Sequence, residues 1–223
     1  MIATAYKGIS FDDIHSYKNL NLVLSSVEIP PAIAKTNYID IVGGDGSLDL
    51  TEVHGEVKYN DRDCKFTFTM HPSDDLTDEG FEKKKTEVSN VLNGMQCKII
   101  LDKDSDYYYI GRCTVNEYLS DKRIRQIVVN AKVRPYKFKV EETVVEEELT
   151  SEFQSLTLSN GRKSVVPKIT CSDDNVNIEF NGNSYIFNAG THTNLDIQLV
   201  YGENIVKVKG EGTIEFRYRE GDL

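Results

Sequence analysis

One stretch, residues 73–94, restricts the possible folds more than any other, because it is the only long segment with helical periodicity in a chain otherwise patterned for strands. Thr77 or Asp78 can cap its start by accepting backbone N–H bonds that lack helical partners, and Glu79 and Glu82 put negative charge at the positive end. Phe81, Val88, Val91, Leu92 and Met95 fall on one stripe of a helix. Gly94 follows where a left-handed terminating residue is favoured. Lys83, Lys84, Glu87 and Asn90 take the opposite face, so the helix is expected to lie on a sheet with its apolar stripe down. One helix must then cover one sheet face.

The strands that would make that sheet read clearly on both sides of the helix. Cys64, Phe66, Phe68 and Met70 alternate with Lys65, Thr67 and Thr69, the period of a sheet with one buried and one wet face. After the helix, residues 96–101, 107–118 and 123–137 read as three consecutive antiparallel strands, with Ile127, Val129, Ala131 and Val133 on one face of the last. Upstream, Leu20, Leu22 and Leu24 form a further alternating run. Pro30-Pro31 then removes two ladder donors, so the chain is expected to leave the sheet and run along a surface or a neighbouring subunit. Short β-like pieces at 38–42 and 47–52 flank Gly43-Gly44-Asp45-Gly46. That loop lacks the Gly-Lys-Ser/Thr ending and the following helix of a phosphate cradle, so it reads as a flexible loop.

Charge, cysteine and histidine placement narrow the function classes. The net charge is -10, and Glu141, Glu142, Glu146, Glu147, Glu148 and Glu152 concentrate much of it in a window without Lys or Arg. No stripe of clustered cations is present to displace counterions from DNA. Cys64, Cys97, Cys113 and Cys171 form no C-x-x-C pair, and the four His are equally scattered, so no metal site is expected. Cys64 and Cys113 lie in phase with apolar strand positions and read as small buried hydrophobes. Asp102-Lys103-Asp104-Ser105-Asp106 opens like a calcium loop, but Tyr107 and Cys113 stand where Gly and a bidentate Glu are needed. A solvated turn is the expectation there. With a mean hydropathy of -0.42, no run of 18 apolar residues and no signal-like N-terminus, a soluble protein assembled in a cytoplasm is expected.

From Val140 the chain turns Glu-rich and resumes a β pattern near Leu156, which divides it into 1–140, an acidic linker 141–155, and 156–223. In the last part Val176, Ile178 and Phe180 alternate, Asn181-Gly182 supplies a tight hairpin turn, and Tyr185 and Phe187 return. Leu195, Ile197, Leu199 and Tyr201 alternate, as do Val206 with Val208 and Ile214 with Phe216 and Tyr218. Five or six short strands argue a small antiparallel sandwich. No nucleophile elbow, zinc helix, P-loop or dinucleotide fingerprint occurs, so no catalytic residue and no cofactor are expected. A carbohydrate-binding sandwich in host-surface adhesion is the alternative reading, with Tyr185, His192 and Tyr201 as its glycan contacts.

The closing run Gly202-Glu203-Asn204-Ile205-Val206-Lys207-Val208, followed by Gly212-Thr213-Ile214-Glu215-Phe216-Arg217-Tyr218-Arg219-Glu220-Gly221-Asp222-Leu223, is similar to the C-terminal ending of distal tail proteins of long-tailed (siphovirus) phages and prophages. Asn93-Gly94, Tyr107-Tyr108-Tyr109-Ile110-Gly111-Arg112 and the exit Arg134-Pro135-Tyr136-Lys137 resemble the ring-forming domain of that family. The resemblance implies a mainly β fold, with an N-terminal tail-tube-like β-barrel or sandwich carrying one α-helix and a C-terminal galectin-like antiparallel sandwich. It implies a hexameric ring, with DNA passing through its lumen, that joins the tail tube protein to the tail-tip hub protein and can anchor a receptor-binding protein. The implied location is the virion tail at its distal tip, with no membrane partner. Ring closure needs two different patches per subunit, and residues 107–118, 123–137 and an N-terminal arm are expected to supply them.

Overall fold

The computed structural model describes residues 8–53, 55–121 and 124–223. The chain separates into two compact units, Met1–Pro135 and Tyr136–Leu223. In the first, the strands are β1 (Ile9–Phe11), β2 (Ile14–His15), β3 (Leu22–Glu28), β4 (Tyr38–Asp40), β5 (Ser47–Asp49) and β6 (Arg62–Met70). Helix α1 (Asp78–Leu92) follows, then β7 (Gln96–Leu101), β8 (Asp104–Asp121) and β9 (Ile124–Val133). Seven of these strands hydrogen-bond in the order β2-β1-β7-β8-β9-β6-β3.

This sheet is strongly curled. β1 and β6 are four strand steps apart, about 19 Å on a flat sheet. Yet the Phe11 ring on β1 lies 6.2 Å from Phe66 and 6.3 Å from Phe68 on β6. Two Phe side chains cannot span the flat distance, so the sheet rolls its inner face around one core. Cys64, Phe66, Phe68 and Met70 are buried there with Ile127, Val129, Ala131 and Val133, as the alternation requires.

Helix α1 closes that core. The Thr77 hydroxyl accepts from Gly80 N at 3.2 Å, and Gly94 follows the helix with φ +80°. Phe81, Val88 and Leu92 are buried, with Val91 and Met95 packed beside them. Lys84 departs from its expected solvent position. Its Nζ donates to the Leu20 carbonyl at 3.1 Å and pairs with Glu87 at 2.8 Å, since its long stem can lie along the helix and reach the neighbouring backbone.

The expected N-terminal arm needs correction over residues 8–18. Ile9 and Phe11 are wholly buried, and β1 pairs with both β2 and β7. This part is sheet, because two large apolar side chains two residues apart reach the core. The remainder of the arm, residues 1–7, lies outside the described residues.

In the second unit the strands are β10 (Lys137–Lys139), β11 (Thr143–Glu148), β12 (Gln154–Asn160), β13 (Lys168–Cys171), β14 (Val176–Phe180), β15 (Asn183–Phe187), β16 (Gly190–Thr193), β17 (Gly202–Lys209), β18 (Thr213–Tyr218) and β19 (Gly221–Asp222). Two four-stranded sheets, β11-β18-β13-β16 and β12-β17-β14-β15, face each other across a core that includes Ile169, Phe216, Leu158, Ile178 and Val206. Asn181 (φ 49°) and Gly182 (φ 81°) make the turn between β14 and β15, the pair of positive φ values that a tight hairpin needs.

Two expectations change here. The segment expected as a linker, 141–155, contains the edge strand β11, paired along its length with β18. Val145 packs against the core, and the following Glu side chains protect an otherwise open edge from pairing with other chains. The alternating run 195–201 is no strand. It makes one isolated bridge, Val165 with Leu199, sinking Ile197 and Leu199 into the core and leaving Leu195 and Tyr201 exposed.

Candidate assembly surfaces

Three surface features arise from how the sequence folds locally. The first begins where the chain leaves β3. Arg62, the buried first residue of β6, holds that exit with its guanidinium over the Tyr109 ring at 5.3 Å and donates to the carbonyls of Pro30 and Pro135. Beyond Pro31 the chain runs out and back. Lys35 N bonds to Lys58 O at 2.7 Å and Asn60 N to Ile33 O at 2.9 Å, and β4 pairs with β5 as a lone hairpin.

Its polar groups are satisfied internally: Ser47 Oγ donates to Asp40 Oδ1 at 2.7 Å, and Thr51 N donates to Asp49 Oδ1 at 2.9 Å. Hydrogen bonding from the Thr51 hydroxyl, and then from its N–H, holds the Asp49 carboxyl below the usual carboxylate range. Its apolar side chains are not satisfied. Every residue from 35 to 49 is exposed, including Tyr38, Ile39, Ile41, Val42 and Leu48. A two-stranded hairpin is marginal alone in water, and exposed apolar side chains gathered in this way mark a contact surface.

The second feature joins the first described residues to the sheet. Asp102 Oδ2 accepts from Gly8 N at 2.6 Å and meets His15 Nε2 at 3.1 Å. His15 Nδ1 accepts from the backbone N–H groups of Tyr17 and Lys18, each at 3.1 Å, so Nε2 carries the proton donated to Asp102. Asp102 thus anchors Gly8, 94 positions upstream, a pairing that no local signal could reveal. The Asp-rich turn that opened like a calcium loop spends its first carboxylate in this way.

The third feature is a groove of about 420 Å³ on the outer side of the sheet, lined by Asp61, Gln96, Arg112, Thr114, Lys132 and Arg134 among others. Arg112 is fixed by bonds to Gly94 O at 2.6 Å and Gln96 Oε1 at 3.0 Å.

The three residues expected to touch glycan have separate neighbours. Tyr185 is packed against the core of the second unit. His192 lies 5.2 Å from the Phe187 ring and bonds to Asn188 O at 2.7 Å, whereas Tyr201 is exposed beneath the Arg162 guanidinium at 5.9 Å. No hydrogen bond or ring contact joins any two of the three. Among the described residues no helix is long and apolar enough to cross a membrane.

A curled antiparallel sheet closed by one helix, followed in the chain by a two-sheet sandwich, is the fold of a phage distal tail protein. The chain is similar to the SPP1 Dit (gp 19.1) protein, whose crystal structure is titled a paradigm of the hub adsorption apparatus in phages that infect Gram-positive bacteria. The two align with a TM-score of 0.68 over 96% of this chain and 98% of that one, at 14% sequence identity, so the likeness is one of fold. No protein-family model matches the chain, and no curated protein sequence does.

Proposed function

We propose that the chain is a structural subunit of a phage or prophage tail tip that assembles as a closed hexameric ring. The ring joins the tail tube to the baseplate hub, lets DNA pass through its lumen, and carries the second unit where it can anchor receptor-binding proteins. It is assembled in the bacterial host cytoplasm and resides in the virion tail. The observation that carries this reading is the match in fold to a tail hub protein over nearly the whole of both chains. The net charge of -10 suits a conduit that must release the phosphates it passes. The hairpin β4–β5 supports a subunit contact. Its exposed apolar side chains gain stability only when another surface covers them, and a ring closes through two different patches that meet around a rotation.

Light scattering after size exclusion of the 25.3 kDa chain, over a wide concentration range with negative-stain imaging, tests the proposal. The expected result is an annular hexamer that is lost when residues 36–50 are replaced by a short Gly-Ser turn. A chain that stays monomeric at every concentration, alone and mixed with tail tube protein, would overturn it.

A further inference from the structure

The groove on the first unit is lined by three cations, Arg112, Lys132 and Arg134, against one carboxylate, Asp61. Arg112 and Lys132 stand directly opposite each other on β8 and β9, an arrangement of like charges that costs stability in a sheet. Arg134, just past the end of β9, lies two residues beyond Lys132, about 6.8 Å away along extended backbone. Asp63 is the cross-strand partner of Lys132 on β6, yet Lys132 and Arg134 have no side-chain partner among the described residues. Three exposed cations therefore face solvent across one groove.

The outer side of β11 on the second unit is its electrostatic complement. Val145 turns toward the core, so Val144, Glu146 and Glu148 point outward, and all three are exposed. Glu146 stands directly opposite Glu215 on β18, again a pair of like charges. Arg217 satisfies Glu215 at 3.0 Å, but the carboxylates of Glu146 and Glu148 have no partner among the described residues. Glu146 and Glu148, two residues apart on one strand face, are also about 6.8 Å apart.

We propose that this groove is an interface between copies of the chain: it receives the outer face of β11 from a second subunit, with Glu146 and Glu148 set against Lys132 and Arg134 and with Arg112 fixed at the groove wall. The inference rests on the ring reading and deepens it, because it assigns one of the heterologous contacts. Each surface contains a like-charge pair that the other relieves, the charge spacings match along the strand, and neither Lys132 and Arg134 nor Glu146 and Glu148 find a partner among the described residues. Such a contact is governed by complementary charge, so it sets register and weakens as salt screens it.

The test uses the full chain in two charge-reversed forms, K132E/R134E and E146K/E148K, with the assembly concentration read by light scattering. Two surface ion pairs turned from attraction to repulsion should raise that concentration by at least about tenfold in each variant. An equimolar mixture should recover wild-type assembly, since reversed grooves then meet reversed strands and wild-type grooves meet wild-type strands. Circular dichroism melts of each variant alone monitor folding. If both variants assemble like wild type, the contact is wrong while the ring stands. Loss of assembly in both without recovery on mixing would also overturn it, and a wild-type chain that never assembles overturns the contact and the ring together.

Discussion

Gly111 shows how one position can govern a whole strand pair. A Cβ there would stand 2.6 Å from Val133 Cγ1 and 2.7 Å from the Lys132 carbonyl oxygen, and the backbone oxygen cannot move without breaking the β8–β9 ladder. Gly111→Ala is therefore expected to destabilise the first unit by about 1–3 kcal/mol, read as a lower urea midpoint. Buried acids set the response to alkali. Burial, aided by the charge of Glu220, pushes the Tyr218 hydroxyl up to about 12 while it donates to Ser159 O at 2.6 Å. Burial likewise pushes the Cys64 and Cys171 thiols up to about 11. These groups hold their protons more tightly folded than unfolded, so their contribution is complete below about pH 9 and is lost as pH rises toward 12. Tyr218→Phe should cost about 1 kcal/mol near neutrality and flatten the loss above pH 10, which urea melts at pH 8 and 11 will reveal.

At the scale of the element, α1 and β11 illustrate opposite uses of charge. Thr77 satisfies one orphan donor of the helix, and its own N–H and hydroxyl are held by Asp75 Oδ1 at 3.0 and 2.6 Å. Those two bonds hold the Asp75 carboxyl below the usual carboxylate range. Thr77→Ala should cost about 1 kcal/mol of stability and Thr77→Gly only a few tenths, measured by thermal melts of the full chain. Strand β11 instead uses charge against backbone pairing, since a run of Glu on an open edge repels further strands from its ladder. The composition of that run marked an unusual segment, but a linker and an edge strand share the same solvated Glu. Pairing with β18 decided between them.

At the scale of the molecule, each unit encloses its own core. The segment 136–223 expressed alone is therefore expected to unfold in one cooperative transition, with coincident near- and far-UV circular dichroism melts. A gradual, non-cooperative loss of signal would show that its core needs the first unit. Assembly follows a different logic from folding. The hairpin β4–β5 adds no side chain to either core, so its replacement should leave the thermal melt of the full chain unchanged while altering native mass.

Much of this protein was readable from local pattern. The stripe from Phe81 to Met95, the alternation from Cys64 to Met70, the Asn181-Gly182 turn and the two-part β organisation follow from side-chain period and turn chemistry, which each segment carries in its own residues. Tertiary structure alone decided how the pieces are used. Residues 195–201 alternate as well as any strand but find only one bridging partner, and 38–49 form a hairpin with no layer to cover it. His15 meets Asp102 across 87 positions, and Lys84 turns back to a carbonyl 64 residues away. Burial, pairing and exposure depend on which distant surface arrives beside a residue, and periodicity describes only the segment that carries it.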